Sequence, residues 1–544
     1  MFVDFEGIQW RGTGWRTAVL LLSLAIITLL VDTASAIEPL AVAGWSQQQK
    51  LTASNPSADD HFGYAVALEG NTAVIGAPQD DGHGSALVFS YDGSSWGQPI
   101  TLTADDAAMG DYFGRAVALD GDTAVIGAPR YDTDVTGSGA AYVFVRDGGG
   151  WSQQAKLTTN DAVVGDNFGW SVALDGDTAV IGAPQYDNDN NKSGSAYVFV
   201  RNGTSWSQQA KLAATDVAAG DQFGWSVALA GDTAVIGAPQ HDDNGHAAGA
   251  AYVFTRSGTS WTQQTKLTSN DAAAGAAFGF AVALDGDTAV VGAWLDESEV
   301  GLHSGSAYVF VRSGVDWSQQ AKLIPGDTAE FGAFGWAVSL ENDTVAIGAV
   351  YPSESAYTFA RDGFSWSEQA KLTPSNPIVE NDFGNAVALS GSTVIVGAPR
   401  DDVDGSVSGS AYTFTFTPPV SISIDDVSLA EGQAGTTAFH FTVSRTGNSE
   451  AISVDFATAD HTATVADADY AAASGTVNFA AGGEFSQEII IQVNGDTQVE
   501  ADEIFLVNLS NASEGVLIAK NQGSGTIQDD DAYTLFLPMI AAHP

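Results

Sequence analysis

The chain has 544 residues, enough for two or more domains with a large buried core. Its formal net charge of -47 argues against nucleic acid or anionic membrane as a partner, because both require positive surface potential. Cysteine is absent, so burial and sheet hydrogen bonds must hold the fold without disulfides, with bound metal as an optional further support.

The first 36 residues differ from the rest. Arg11 and Arg16 precede the apolar run from Thr17 to Val31, and Ala34-Ser35-Ala36 offers the small residues of a signal-peptidase site. Residues 1–36 are expected to be a secretory signal peptide, with an uncleaved anchor as the alternative; the run is short for a bilayer span. Either reading exports the bulk of a chain read as bacterial, to the cell surface or beyond; with the signal peptide removed, no membrane span is expected in the mature protein.

Seven Phe-Gly dipeptides follow, at Phe62, Phe113, Phe168, Phe223, Phe278, Phe334 and Phe383, spaced by 51, 55, 55, 55, 56 and 49 residues. A fixed period of this length marks one supersecondary unit repeated seven times. In the unit from Phe168 to Leu212, short alternating runs between Gly, Asp and Asn turns predict four strands. The first, Phe168 to Leu174, would put Phe168, Trp170, Val172 and Leu174 on one face. The second, Thr178 to Ala183, is apolar throughout and reads as buried on both sides. The third, Ser195 to Arg201, alternates Tyr197 and Phe199 with Ala196, Val198 and Val200. The fourth, Trp206 to Leu212, would turn Trp206 and Leu212 inward and Ser207, Gln209 and Lys211 to water, as suits an outer edge.

Trp45, Trp96, Trp151, Trp206, Trp261, Trp317 and Trp366 are placed at the starts of fourth strands; Trp294 alone falls outside the repeat positions of the tryptophans beyond the leader, and is expected to fill a packing gap. The ends of the array are complementary. A fourth-type strand, Trp45 to Leu51, precedes the first unit, and the last unit stops after its third strand, Ser410 to Phe416. If the early strand completes the seventh sheet, residues 45–416 close into a seven-bladed β-propeller.

These residues resemble the FG-GAP repeats of the integrin alpha-chain propeller and its bacterial relatives, through seven Phe-Gly pairs each followed by Gly-Ala-Pro or a variant. In that family the loop between the first two strands often binds calcium through an Asp-x-Asp-x-Asp-Gly segment. Here tight turns such as Asp120-Gly121-Asp122 and Asp285-Gly286-Asp287 replace it, so those sites do not carry over. Acidic residues gather instead between strands two and three, at Asp132, Asp134, Asp187, Asp189, Asp242, Asp243, Asp401, Asp402 and Asp404. Solvated loop tips rich in Asx turns explain them as well as a hard cation does. Because these loops vary most between units, they are the expected contact for a protein or glycan ligand.

Thr417-Pro418-Pro419 ends the repeats, since consecutive prolines remove two ladder donors. Alternating runs at Ala438 to Val443, Ile452 to Phe456, Gly475 to Phe479, Glu488 to Val493 and Ile504 to Leu509 then predict an Ig-like β-sandwich over 420–531. This segment is similar to a Calx-beta domain through Ala430-Glu431-Gly432, Asp469-Tyr470, Gly475 to Phe479, Glu500 to Phe505 and Gly525 to Asp531. The resemblance implies that Glu431, Asp469, Asp496, Glu500, Glu503, Asp529, Asp530 and Asp531 converge at one end of the sandwich to hold Ca2+. Independently, three consecutive aspartates after an apolar strand repel one another and gain from a shared divalent cation. Gly495 departs from the pattern, standing where calcium-sensing members often carry another Asp. The apolar tail, 532–544, is too short to span a bilayer.

Chemistry is sparse. No histidine has the spacing of a zinc site; His241 and His246 share an acidic loop and are expected to be solvated, and His61 occupies a variable, exposed position. No nucleophile elbow or phosphate loop is present. The expectation is therefore a non-catalytic, monomeric binding or adhesion protein. A hydrolase or lyase working at the propeller mouth, and a purely structural envelope scaffold, are the alternatives.

Overall fold

A computed structural model describes residues 44–531 apart from 131–136, 186–192, 244, 272, 298–302, 328–330, 377–379, 404–405 and 448–449. The leader, the tail and Asp132, Asp134, Asp187, Asp189 and Asp404 lie outside the described residues.

Six repeats each fold into a four-stranded antiparallel sheet with its strands in sequence order, and with a seventh four-stranded sheet they form the propeller. In the third blade the strands are Ser171–Asp175, Thr178–Ala183, Ser195–Asn202 and Ser205–Leu212. Thr178–Ala183 is buried along its whole length, as its unbroken apolar run predicts. The seventh sheet is completed from the other end of the array. Gly44–Leu51 pairs antiparallel with Ser410–Thr417, setting Trp45 opposite Phe416 and Leu51 opposite Ala411. Phe62 bridges to Gly409, so the first and last blades also join near the axis.

Outside the sixth blade, where the strand is Phe334–Glu341, the innermost strands start later than expected. Asn167 and Gly169 both have positive φ, at 58° and 91°, and the strand begins only at Ser171. Phe168 leaves the sheet, bridges to Gly139 of the preceding blade and packs edge-on against Tyr197 and Phe199. Two left-handed residues flanking Phe168 break the alternation, so Phe168 and Trp170 do not share a face. The residue before every Phe of the repeat is left-handed and is never glycine: His61, Tyr112, Asn167, Gln222, Ala277, Ala333 and Asp382. His61 is half-buried rather than exposed.

The outer strands also differ from a simple alternation. A bulge between Val198 and Phe199 resets the register of Ser205–Leu212. Gln209 therefore does not face water; its Oε1 accepts a hydrogen bond from the Trp261 indole of the next blade at 2.9 Å. Lys211 is likewise committed, to Asp161 at 2.6 Å. In the first blade Trp96 starts no strand. Pro99 lacks a donor, the outer strand shrinks to Ile100–Leu102, and the side chain of Gln49 holds both backbone groups of Trp96.

Arginines staple the blades together. The Arg201 guanidinium binds Asp177 in its own blade at 2.6 Å and Thr123 Oγ1 in the preceding one at 2.9 Å, lying over Trp206. Arg146, Arg256, Arg312 and Arg361 repeat the arrangement with Thr72, Thr178, Thr233 and Thr288. The far ends of the inner hairpins are wired too: Glu69, Asp120, Asp175, Asp285 and Glu341 each accept a backbone N–H from the neighbouring turn. The tight turns thus spend their carboxylates on structure.

Residues 420–531 form two stacked sheets. One contains Ser486–Gly495, Gly435–Arg445, Ser421–Ile424 and Leu517–Lys520; the other Val427–Ala430, Gln522–Gln528, Glu503–Ser510, Ile452–Asp460 and Ser474–Phe479. Phe439, Phe441, Val454, Ile491, Val507 and Phe505 fill the space between them, with Tyr470 stacked on Phe505 at 4.6 Å. Among the described residues no helix is long and apolar enough to cross a membrane.

Candidate metal centre and channel mouth

Strand pairing brings the acidic groups of the sandwich to one end. Val427–Ala430 runs parallel to Gln522–Gln528, so both finish at the same edge and deliver Glu431 beside Asp529, Asp530 and Asp531. Glu503–Ser510 runs antiparallel to Gln522–Gln528 with Glu503 opposite Ile527, which places its start there as well. Asp496 directly follows Ser486–Gly495, and Asp469 is held there by the Thr464 N–H at 2.6 Å and by the bridge between Tyr470 and Val493.

The result is a cavity of about 240 Å³ lined by Glu431, Asp467, Asp469, Asn494, Asp496, Glu500, Glu503 and Asp529. Carboxylate oxygens of Glu431, Asp496 and Asp531 lie within 4.8 Å of one another. Glu431 is 7% exposed, and burial, then the charges of Asp496, Glu500, Asp531 and Asp529, push its pKa up to about 7. Burial and the adjoining Asp469 do the same to Glu503. Asp531 Oδ2 is buried without a hydrogen-bond partner. An all-oxygen donor set, an orphaned carboxylate oxygen and mutual repulsion fit a hard divalent cation such as calcium, whose charge would offset that repulsion.

Not every expected ligand turns inward. Asp530 is exposed and does not line the cavity; the Gln433 Nε2 donates to its carbonyl oxygen and Oδ1 at 3.3 and 3.4 Å and, more closely, to Asp531 Oδ1. Asp529 accepts the N–H groups of Glu500 and Asp531 at 3.1 and 3.0 Å, which ties the two acidic segments together. Asp467 and Asn494 line the cavity although neither stood out in the sequence.

A second acidic group, Asp216, His241 and Asp243, sits in the propeller. Lys266 already occupies it, 2.7 Å from Asp216 and in contact with Asp243. His241 is 3% exposed, bonded to Asp221 at 2.8 Å, and so is not a solvated loop residue; His246 is exposed and takes no part. Burial pulls the imidazole pKa down, but Asp221 and Asp243 outweigh it and hold it above its usual value. Asp401 is likewise buried against Lys50 at 2.9 Å and the Tyr412 hydroxyl. These carboxylates are neutralised by the chain's own cations.

The propeller axis opens into a cavity of about 280 Å³ to which all seven blades contribute. The residue after each Phe-Gly pair lines it: Tyr64, Arg115, Trp170, Trp225, Phe280, Trp336 and Asn385. Neighbouring rings touch around the circle, Trp170 to Trp225 at 4.9 Å, Trp225 to Phe280 at 5.4 Å and Phe280 to Trp336 at 4.8 Å. Trp294 packs against Phe280 and Trp336, so it fills the gap behind this collar.

Residues 45–89, 96–144, 151–199, 206–254, 261–310, 317–359 and 366–414 each match the FG-GAP repeat. The chain belongs to the FG-GAP repeat family. Residues 419–531 match the Calx-beta domain, and Calx-beta domains bind calcium. Among solved structures, the apo-form Calx CBD1 domain is 30% identical over 21% of this chain and 99% of that one, with a TM-score of 0.19. The calcium binding domain CBD12 of CALX1.1 is 31% identical over 20% of this chain and 46% of that one, with a TM-score of 0.18.

In this FG-GAP protein the departure at Gly495 has a steric cause. A Cβ at that position would lie 2.0 Å from the Gly432 carbonyl oxygen and 2.8 Å from that of Glu431. The segment carrying Glu431 therefore approaches so closely that no side chain, and no further carboxylate, fits at residue 495.

Proposed function

We propose that this FG-GAP protein is an exported, non-catalytic binding or adhesion protein of the cell surface or extracellular space. Its propeller presents loops to a protein or glycan ligand, and its Calx-beta sandwich holds calcium through Glu431, Asp469, Asp496, Glu500, Glu503, Asp529 and Asp531. FG-GAP repeats and Calx-beta domains are binding modules rather than catalytic ones, which supports the class. The leader features Arg11, Arg16 and Ala34-Ser35-Ala36 support export. Among the described residues lining the axial mouth there is no carboxylate and no histidine, the commonest general acids and bases.

The observation that carries the calcium reading is the orphaned Asp531 Oδ2 amid converging carboxylates. Calorimetric titration of the chelator-treated full-length protein with calcium tests it. Saturable binding with a raised melting temperature at up to millimolar calcium is expected, the range of extracellular modules. Neither heat nor stabilisation at that concentration removes the site. Binding to glycan and matrix-protein arrays, with and without chelator, tests adhesion.

A further inference from the structure

We propose that the axial mouth is a subsite for a saccharide unit bearing a carboxylate, a sugar of the uronic-acid class; the inference rests on the binding reading above. It starts from Arg115. The guanidinium lies between the rings of Tyr64 and Trp170, 4.6 and 4.1 Å from their centroids. Stacking occupies its two faces and fixes its plane, leaving the forked N–H edge, which suits a carboxylate.

No carboxylate among the described residues takes that edge. The stapling arginines Arg146, Arg201, Arg256, Arg312 and Arg361 each hold an aspartate, whereas none of the described carboxylates lies within ion-pair distance of Arg115. In a protein with 66 acidic residues this is a strong local exception. The carboxylates of the inner hairpins stand at the opposite ends of the same strands, so the axis is positive at one mouth and negative at the other. The net charge repels anions at a distance, but salt screens that field beyond about 10 Å, and the guanidinium dominates at contact.

The rest of the lining selects the ligand. Ser171 and Ser226 donate their hydroxyls to carbonyl oxygens of the next blade, at 2.9 and 2.8 Å, leaving no ladder of polar groups for a peptide backbone. Asn385 donates Nδ2 to the Tyr64 carbonyl at 2.8 Å, and among the described residues no donor reaches its Oδ1. The mouth therefore offers flat apolar faces, one acceptor for a hydroxyl and one fork for an acid. A pyranose with a carboxylate presents the complementary set. A cavity of about 280 Å³ lies at the small end of ligand pockets, which fits a single terminal unit entering along the axis.

The test uses the calcium-loaded full-length protein, titrated with methyl glucuronide, methyl glucoside and acetate, read by tryptophan fluorescence and calorimetry. Expected is saturable binding of the glucuronide at least tenfold tighter than of either control. Arg115→Gln should weaken it tenfold or more with an unchanged melting temperature, while Arg130→Gln, on an exposed arginine over Tyr112, should leave it intact. Trp225→Ala should weaken glucuronide and glucoside alike. Equal affinity for the glucoside, or for acetate, overturns the proposal, as does full binding by Arg115→Gln or no binding by the parent. Array binding retained by Arg115→Gln in such a case would leave the adhesion reading standing without this subsite.

Discussion

Gly127 in the second blade and Gly169 in the third lie so close that a Cβ on Gly127 would fall 2.0 Å from the Gly169 carbonyl oxygen. The same approach recurs around the ring, from Gly76 on Gly114 to Gly397 on Gly63. The Phe-Gly and Gly-Ala-Pro segments are thus two halves of one contact between blades, and backbone lies against backbone because neither side has a side chain there. Gly127→Ala is expected to force the blades apart and to cost about 3 kcal/mol or more. Gly203→Ala, at an open hairpin tip with φ of 64°, should cost only the left-handed strain of about 1–2 kcal/mol. Denaturant unfolding of the two variants checks the order; a milder effect for Gly127→Ala would contradict the contact.

Removal of Gly44–Leu51 should lower the thermal midpoint markedly and promote association. It takes away Leu51, which is 2% exposed, and the contact of Trp45 with Phe416, and it leaves Ser410–Thr417 as an unpaired edge. Scanning calorimetry and size-exclusion chromatography read both effects, and an unchanged midpoint would show that closure contributes nothing.

Asp60 gives a pH dependence. Burial, together with Asp80, Asp81 and Asp59, pushes its pKa from 3.8 up to about 6 against the Ser57 N–H, which donates to it at 2.6 Å. A folded-state value above the unfolded one contributes stability that is fully present below 3.8 and lost as pH rises through about 6. Asp60→Asn keeps an acceptor for Ser57 without the charge, and the seventh blade already carries Asn381 at this position. The variant should match the parent at pH 4 and exceed it at pH 8 by on the order of 2 kcal/mol. A difference independent of pH would refute the assignment.

In the sandwich, Asp496→Asn and Glu431→Gln should each weaken calcium binding by tenfold or more while stabilising the calcium-free protein, because each removes one of several repelling charges. Gly495→Asp should not add a ligand. It drives a side chain into the Gly432 carbonyl, so lower stability and weaker calcium binding are expected. Calorimetry of the three variants separates loss of charge from loss of geometry.

The propeller was legible because its signals are periodic: the spacing of Phe-Gly, the unbroken apolar second strands and the complementary ends all specify closure. Its finer register was not. The left-handed conformation at Asn167 is not written in residue type, since His61, Ala277 and Asp382 adopt it too, and it comes from the close packing of Gly169 on the neighbouring blade. A single-residue bulge at Gln209 likewise leaves no trace in an alternating sequence, yet it turns that side chain toward Trp261. For the acidic cavity, the run Asp529-Asp530-Asp531 was visible, but that Asp530 stands exposed while Asp531 joins Glu431 and Asp496 depends on segments about a hundred positions apart, which residue type does not record. The aromatic collar was split among seven distant positions, and only the ring brings Arg115 between Tyr64 and Trp170.

The pairing of Gly44–Leu51 with Ser410–Thr417 joins groups 364 positions apart in the chain, as at Gln49 and Thr413. On a growing polypeptide the clasp is made first and its catch last, so the sheet stays incomplete until nearly the whole circle has emerged. Once fastened, the first described strand lies on the outer edge of its sheet. A protease nick in one surface turn would then yield two pieces that remain interlocked, and the molecule should run as a single species until denaturant is added.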